Sequence, residues 1–380
     1  MKRFAMKHVG KTVAVAGLSA MVALACTACS GTSGTANVSE EAAAKVLADA
    51  TAQVANVRDV SQNITGKEVK GTVTTTIDMS QYEQGKVVRV WLPIAQDGDY
   101  QTVTNVTYDA PKATKAEITV DLELNQMLYI EWDASVAPED RTATLSFKAD
   151  RQEVRVSDPV DDGSGIPVTV QPYLEGSSLV PVNDQVKAAA AEITAGKTDS
   201  VSKARAIYDW IIENMNRDES VKGCGTGDVC ALLDTKAGKC TDINSVFVGL
   251  CRASGIPARE MFGVRMNAED ITKNQHCWAE FYVPGTGWVP ADPADVLKAV
   301  LKGGWTKDQA ETKEKAEYYW GGWDAERVEL SEGRDLTLAP AQDDGTLNNF
   351  GYPYAEVDGT ALDYYDPTTF VYTISFAAEK

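Results

Sequence analysis

His276-Cys277-Trp278-Ala279-Glu280-Phe281-Tyr282-Val283, followed by Gly287-Trp288-Val289-Pro290-Ala291-Asp292-Pro293, is the stretch on which the fold turns. The first segment alternates with period two. His276, Trp278, Glu280 and Tyr282 share one strand face, and Cys277, Ala279, Phe281 and Val283 share the other. The second face is apolar and reads as core, so Cys277 reads as a packing residue. The first face is mixed, as on a strand bordering a cleft. Gly285-Thr286-Gly287 predicts a hairpin turn, and the return strand ends at Asp292, across from His276.

Working upstream, Ala237-Gly238-Lys239-Cys240-Thr241-Asp242 opens a helix. Ile243, Val246, Phe247, Leu250 and Cys251 recur at helical spacing, and Ser254-Gly255-Ile256-Pro257 stops the pattern. Cys240 therefore sits at a helix N-terminus, where unpaired amides and the dipole favour a thiolate and can hold an oxyanion. Cys251, at the far end of the buried stripe, reads as a core thiol. The only other histidine, His8, falls in a leader-like segment, so His276 is the one imidazole available as a base.

A helix-start cysteine or a strand histidine alone has an ordinary structural explanation. Cysteine, histidine and aspartate in this order, each at the end of an element, are what a thiol acyl-transfer site needs: Cys240 as nucleophile, His276 as base and acid, Asp292 as the group orienting the imidazole. Glu280 and Asp295 read as surface or supporting groups. Trp278 and Trp288 are expected to wall the cleft. Trp210, Tyr208 and Trp278 stand as alternatives for a second oxyanion donor.

Around this core the pattern divides the chain. Lys2, Arg3, Lys7 and Lys11 precede an uncharged apolar run to Ala25, and residues 1–28 read as an export signal. Two cysteines follow small residues there, resembling a bacterial lipobox. Cys29 is the expected lipidation site, with Cys26 as the alternative, and a plain secreted protein is the competing reading. Residues 29–58 read as a tether and a short helix. Residues 59–160 carry β-branched runs (72–77, 87–92, 117–122, 127–132 and 142–147) and predict an all-β sandwich-like domain. Residues 161–182 read as a linker. Residues 183–380 would then be an α+β catalytic domain with a C-terminal extension, beginning with helices over 186–195 and 201–216.

With 36 basic and 55 acidic residues the formal net charge is −19. Removing the four basic residues of the leader makes it −23. Such a surface argues against nucleic acid as a partner. Cys224 and Cys230 bracket a glycine-rich loop and, in an oxidising compartment, are expected to form a disulfide; metal binding is the rival, with one histidine and no CxxC pair against it. No EF-hand loop is present, and neither metal nor organic cofactor is required by the reading.

Gly238-Lys239-Cys240-Thr241-Asp242, Arg252-Ala253-Ser254-Gly255-Ile256-Pro257-Ala258-Arg259, His276-Cys277-Trp278-Ala279-Glu280 and Gly287-Trp288-Val289-Pro290-Ala291-Asp292-Pro293 together resemble the bacterial transglutaminase-like superfamily. Tyr319-Trp320-Gly321-Gly322-Trp323-Asp324, Gly333-Arg334-Asp335 and 352–359 resemble the tail of its exported members. Val90-Trp91-Leu92-Pro93 resembles the β-rich leader domain that some members carry. The resemblance implies a papain-like α+β core of helices and antiparallel sheet, with Cys240, His276 and Asp292 in the roles given above. Crosslinking members commonly carry an aromatic residue directly after the nucleophile, where this chain has Thr241. Hydrolysis is thereby favoured over protein crosslinking. The expected protein is a lipid-anchored cysteine hydrolase or acyltransferase on the outer face of the bacterial membrane, acting on a peptide or protein amide. The alternative is a non-catalytic envelope module binding peptide or glycan.

Overall fold

The computed structural model describes residues 60–366 and 368–379. The expected export signal, Cys26, Cys29, the tether and the short helix lie outside the described residues.

Six strands come first: β1 (Ile64–Asp78), β2 (Val88–Ile94), β3 (Gln101–Asp109), β4 (Lys115–Val120), β5 (Gln126–Trp132) and β6 (Thr142–Arg155). Their β-branched alternation does what period two requires. Val73, Thr75 and Ile77 of β1 point inward, while Thr72 and Thr76 are exposed. Helices α1 (Asp184–Ile193) and α2 (Ser200–Asn214) follow, each started by a side-chain cap, Asn183 and Asp199. The short strand β7 (Asn216–Arg217), helix α3 (Val229–Thr235) and short strand β8 (Ala237–Gly238) lead into α4 (Cys240–Ala253). Next come β9 (Ala258–Arg265), β10 (Gln275–Val283) and β11 (Gly287–Ala291), then α5 (Pro293–Gly303) and α6 (Ala310–Tyr319). The chain finishes with β12 (Gly322–Trp323), β13 (Arg327–Glu332), β14 (Tyr354–Val357), β15 (Thr360–Ala361) and β16 (Val371–Ala378).

The strands assemble into three main sheets. One runs β12-β6-β1-β16, with β3 also on β6; a second runs β15-β14-β2-β5-β4. These two face each other across a core holding Ile77 and Leu145 from one sheet and Val90, Leu92, Leu128 and Ile130 from the other. The third sheet, β11-β10-β9-β13, is antiparallel and carries α4 against it. Phe247 of α4 meets Phe281 of β10 edge-on at 5.9 Å. The mixture of helices and antiparallel sheet, preceded by a β-rich region, is the α+β architecture expected.

The domain boundaries need correcting. Residues 183–380 are not one catalytic unit, because β14 pairs with β2 and β16 pairs with β1. The C-terminal segment therefore completes both sheets of the N-terminal sandwich. The reason is burial. Ile374 and Phe376 are almost fully covered and share a core with Val73, Phe147, Val264, Val328 and Leu330, which joins the sandwich to the third sheet.

Candidate active site

Cys240 is the first residue of α4, and the loop before it is fastened by Asp242. The Asp242 carboxylate accepts from the Lys239 amide at 2.9 Å and from the amides of Thr226 and Gly227 at 3.0 and 2.9 Å. That carboxylate lies so close to the chain that a Cβ on Gly238 would sit 2.4 Å from the Asp242 Cβ. One on Gly225, where φ is +88°, would sit 2.0 Å from its oxygen. Close approach, rather than an unusual dihedral, is what requires glycine at 238. The Thr241 amide donates to the Cys224 carbonyl at 3.0 Å. The helix end is thus rigid before any substrate arrives.

The hairpin of β10 and β11 is in register with Ala279 opposite Ala291, so the chain leaves β11 at Asp292. There Asp292 does two things. Its Oδ1 accepts from the Asp295 amide at 3.0 Å and caps α5, with Pro293 at the first helical position. Its Oδ2 lies 2.8 Å from His276 Nε2. Asn244 Nδ2 donates to Oδ1 at 3.3 Å and to the Cys277 carbonyl at 2.9 Å. With Nε2 committed to Asp292, the other ring nitrogen is left for Cys240.

His276, Cys240 and Asp292 are all buried. Hydrogen bonds from the Cys224 and Cys277 thiols, and then from His276, hold Cys240 well below an ordinary thiol pKa despite its burial. Burial and the Arg265 charge push His276 down, but Asp295 and Asp292 outweigh them and the net shift is upward. Both shifts favour a thiolate–imidazolium pair.

Behind the imidazole lies a buried charge cluster. Arg327, with no exposed surface, bonds Asp292, and reaches Asp295 and Asp324 at 2.8 and 2.9 Å. Arg265 bonds Asp295 and reaches Asp324 at 3.4 Å. Burial would raise the carboxyls of Asp295 and Asp324, but the two guanidinium groups hold both well below the usual range. Three carboxylates face two guanidinium groups, so a protonated His276 brings the cluster to neutrality. That is the physical reason its pKa rises.

A cleft of about 720 Å³ gives access to Cys240 and His276, and Cys224, Tyr352, Tyr364 and Tyr365 also line it. None of the aromatic residues expected there is among its lining. Trp278 is fully buried behind His276, its ring 5.9 Å from the imidazole and 6.2 Å from Trp323. Trp288 packs on Tyr173 and Tyr282 and under Arg259. Tyr208 is buried and its hydroxyl donates to the Ala316 carbonyl at 2.9 Å, so it is no oxyanion donor. Trp210 packs beside Lys236. Both faces of β10 are buried in this part of the sheet, which is why the alternating pattern misassigned Trp278 to a cleft wall.

The Cys224–Cys230 disulfide is a further correction, for both are free thiols. Cys224 points to the cleft, accepting from the Tyr352 hydroxyl at 3.0 Å, while the Cys230 sulfur accepts from Asn183 at 3.3 Å. The loop between them wraps the Asp242 carboxylate and sends the two sulfurs to different neighbours. Glu280 is buried against Arg259, well away from the imidazole, and Asp295 belongs to the charge cluster.

Residues 187–293 match the family model of the transglutaminase-like superfamily core. An uncharacterized protein of Haemophilus influenzae is 34% identical over 329 residues, spanning 79% of this chain and 89% of that protein. The chain belongs to the transglutaminase-like superfamily. The uncharacterized protein YebA of Bacillus subtilis is 28% identical over 138 residues, which span 32% of this chain and 18% of YebA. Among solved structures, one from Cytophaga hutchinsonii, described as a candidate cysteine protease, superposes with a TM-score of 0.50 at 17% identity. The alignment covers 82% of this chain and 99% of that one, and the likeness is one of fold.

In this transglutaminase-like site the donor atoms of His276, Asp292 and Asp295 lie within 4.8 Å of one another, close enough to consider a metal ion. Arg327 already bonds both carboxylates, so a cation there would face a guanidinium at contact distance. The set is a poor fit to a metal and a good one to an imidazolium.

Cys224, Asn244, Arg265 and Arg327 are the site residues that sequence reasoning missed. Asn244 had a signal: it falls one turn after Cys240 on the same helix. Arg327 had none, since it arrives from a strand 35 residues beyond Asp292.

Proposed function

We propose that this protein is a cysteine hydrolase or acyltransferase acting on an amide bond, with hydrolysis the principal reaction. The observation that carries the reading is the buried Cys240 at the start of α4, sharing one cleft with a His276 fixed by Asp292 at 2.8 Å, in surroundings that hold its thiol well below the usual pKa.

Cys240 Sγ attacks the amide carbonyl carbon, forming a C–S bond and an oxyanion. The Thr241 amide is occupied by Cys224, so the Cys240 amide is the oxyanion donor assigned to the helix end. Collapse breaks the C–N bond, and the His276 imidazolium gives its proton to the leaving amine. Water, deprotonated by His276, then attacks the thioester, and the acid and the thiolate are released. Asp292 keeps the imidazole oriented throughout. Thr241 is buried, its amide bonded to the Cys224 carbonyl and its carbonyl to the Ser245 hydroxyl, and its short side chain puts no aromatic ring after the nucleophile to shelter an acceptor amine. That supports water as the acceptor.

The export signal and lipidation at Cys29 remain part of the proposal; intact-mass measurement of the membrane fraction from the Cys29→Ala and Cys26→Ala variants tests the anchor. For the reaction, a set of peptide amides is incubated with the wild type and with Cys240→Ala, with and without a fluorescent primary amine. Free acid produced only by the wild type supports the reading. Amine incorporation exceeding acid release would reverse the preference for hydrolysis, and no turnover of any amide by a protein whose thiolate is intact would favour a binding module.

A further inference from the structure

The chemistry at Cys240 does not explain why its cleft is basic. The chain as a whole is acidic, 55 residues against 36, yet seven lysines and arginines line the cleft and Glu219 alone is acidic there. Four of the seven have partners. Arg217 and Lys239 share Glu219 at 3.0 and 3.7 Å, Lys222 pairs with Asp363, and Arg265 belongs to the cluster behind His276. Lys273, Lys298 and Lys302 line the cleft and have no carboxylate at ion-pair distance among the described residues.

Lys298 is the informative one. It lies on α5 one turn beyond Asp295 and is half-buried. Burial lowers its pKa; Asp295 opposes this, and Arg265, Lys302 and Arg217 add to the lowering. A lysine desolvated among cations is an unfavourable arrangement in the empty protein, and an anion entering the cleft relieves it. These lysines are not what sustains the thiolate, which rests on Cys224, Cys277 and His276. The cleft also presents Tyr352, Tyr364 and Tyr365, packed ring on ring with centroids 4.4 to 5.0 Å apart. That surface offers aromatic contact, and its nearest cation, Lys222, 5.7 Å from the Tyr365 ring centre, is already paired with Asp363.

Building on the amide-hydrolase reading of the same site, we propose that the cleft selects an acidic peptide, with carboxylates flanking the scissile amide held by Lys298 and Lys302 and the rest of the chain lying on the tyrosines. The cationic side raises the local concentration of anionic substrate in a protein whose remaining surface repels it.

Two alkylating reagents of similar size read this directly, neutral iodoacetamide and anionic iodoacetate, each scored at Cys240 by peptide mass spectrometry. The quantity is the iodoacetate-to-iodoacetamide rate ratio, which cancels changes in the thiol itself. The imidazolium contributes to the ratio in every variant, so the comparison is between variants. In the Lys298→Gln, Lys302→Gln protein the ratio should fall about fivefold at low salt, and Lys298→Arg should retain it. High salt should shrink the difference. A peptide with glutamate at alternate positions should slow iodoacetamide in the wild type more than its glutamine counterpart does, and the double variant should lose that distinction. An unchanged ratio in the double variant, or equal protection by the two peptides, overturns the acidic-substrate assignment while leaving the cysteine-enzyme reading intact. Failure of Cys240 to react with either reagent near neutral pH overturns the enzyme reading and this one with it.

Discussion

Replacing Arg327 with methionine removes the charge on which the site's geometry rests. The guanidinium is fully buried and touches Asp292, Asp295 and Asp324. Taking one partner from a buried ion cluster costs about 3–5 kcal/mol. Asp295 and Asp324 keep Arg265, and Asp292 keeps His276 and Asn244, which places the loss at the lower end, about 3–4 kcal/mol. At about 2 °C per kcal/mol for a chain of this size, Tm falls by about 6–8 °C. The charge balance also changes. With a neutral imidazole the cluster goes from one excess negative charge to two, so His276 binds its proton more tightly and its raised pKa rises further. The stability it contributes by protonation is complete below the unfolded value of about 6.5 and is lost as pH climbs through the folded pKa. The Tm gap between wild type and variant is therefore smaller at acidic than at alkaline pH. Calorimetry across pH gives the gap, and an NMR titration of the His276 ring in a Cys240→Ala background gives the pKa direction. An unshifted or lowered His276 midpoint, with Tm unchanged, would refute the account of the cluster.

Cys224→Ala removes the neighbouring thiol that does most to lower the Cys240 pKa, so Cys240 alkylation near pH 6 slows several-fold as that pKa rises, read by timed mass spectrometry. Cys230→Ser changes unfolding free energy by less than about 0.5 kcal/mol, because Cys230 is in no disulfide and a serine hydroxyl can still accept from Asn183; a loss of about 2–5 kcal/mol in a denaturant titration would restore the disulfide. Truncation before Val371 strips β16 from β1 and uncovers Val73 and Phe147, so the shortened chain should lose cooperative unfolding or drop in Tm by more than 10 °C, on the order expected for losing several buried side chains. Retention of full stability would contradict the sheet order.

The parts of this molecule that repeat a local rule were readable from the sequence. The Cys240 helix announces its buried stripe and its Gly255 stop, and β10 announces its alternation. The N-terminal strands show themselves by their β-branched runs. What could not be read depends on contacts between distant segments. The return of 354–378 to the sandwich carries no local mark, because a strand does not name its partner. Trp278 was assigned to a cleft wall because alternation tells which residues share a face, not what covers that face. Here Trp323 and Arg327 cover it. The Cys224–Cys230 pairing rests on their bracketing a glycine-rich loop and on the expected oxidising compartment, and the Asp242 carboxylate decides the loop's path instead.

The central claim is that Cys240 and His276 share a thiolate–imidazolium pair in the resting protein. The measurement that tests it most directly is the pH dependence of Cys240 alkylation by iodoacetamide in the wild type and in His276→Ala. The lowered Cys240 pKa and raised His276 pKa move the two titrations toward each other, which favours a deprotonated sulfur beside a protonated ring. The account predicts alkylation well below the free-thiol value of about 8.5, with the histidine variant's profile moved toward that value. A Cys240 that reacts only near the free-thiol pKa, identically in both proteins, would contradict it.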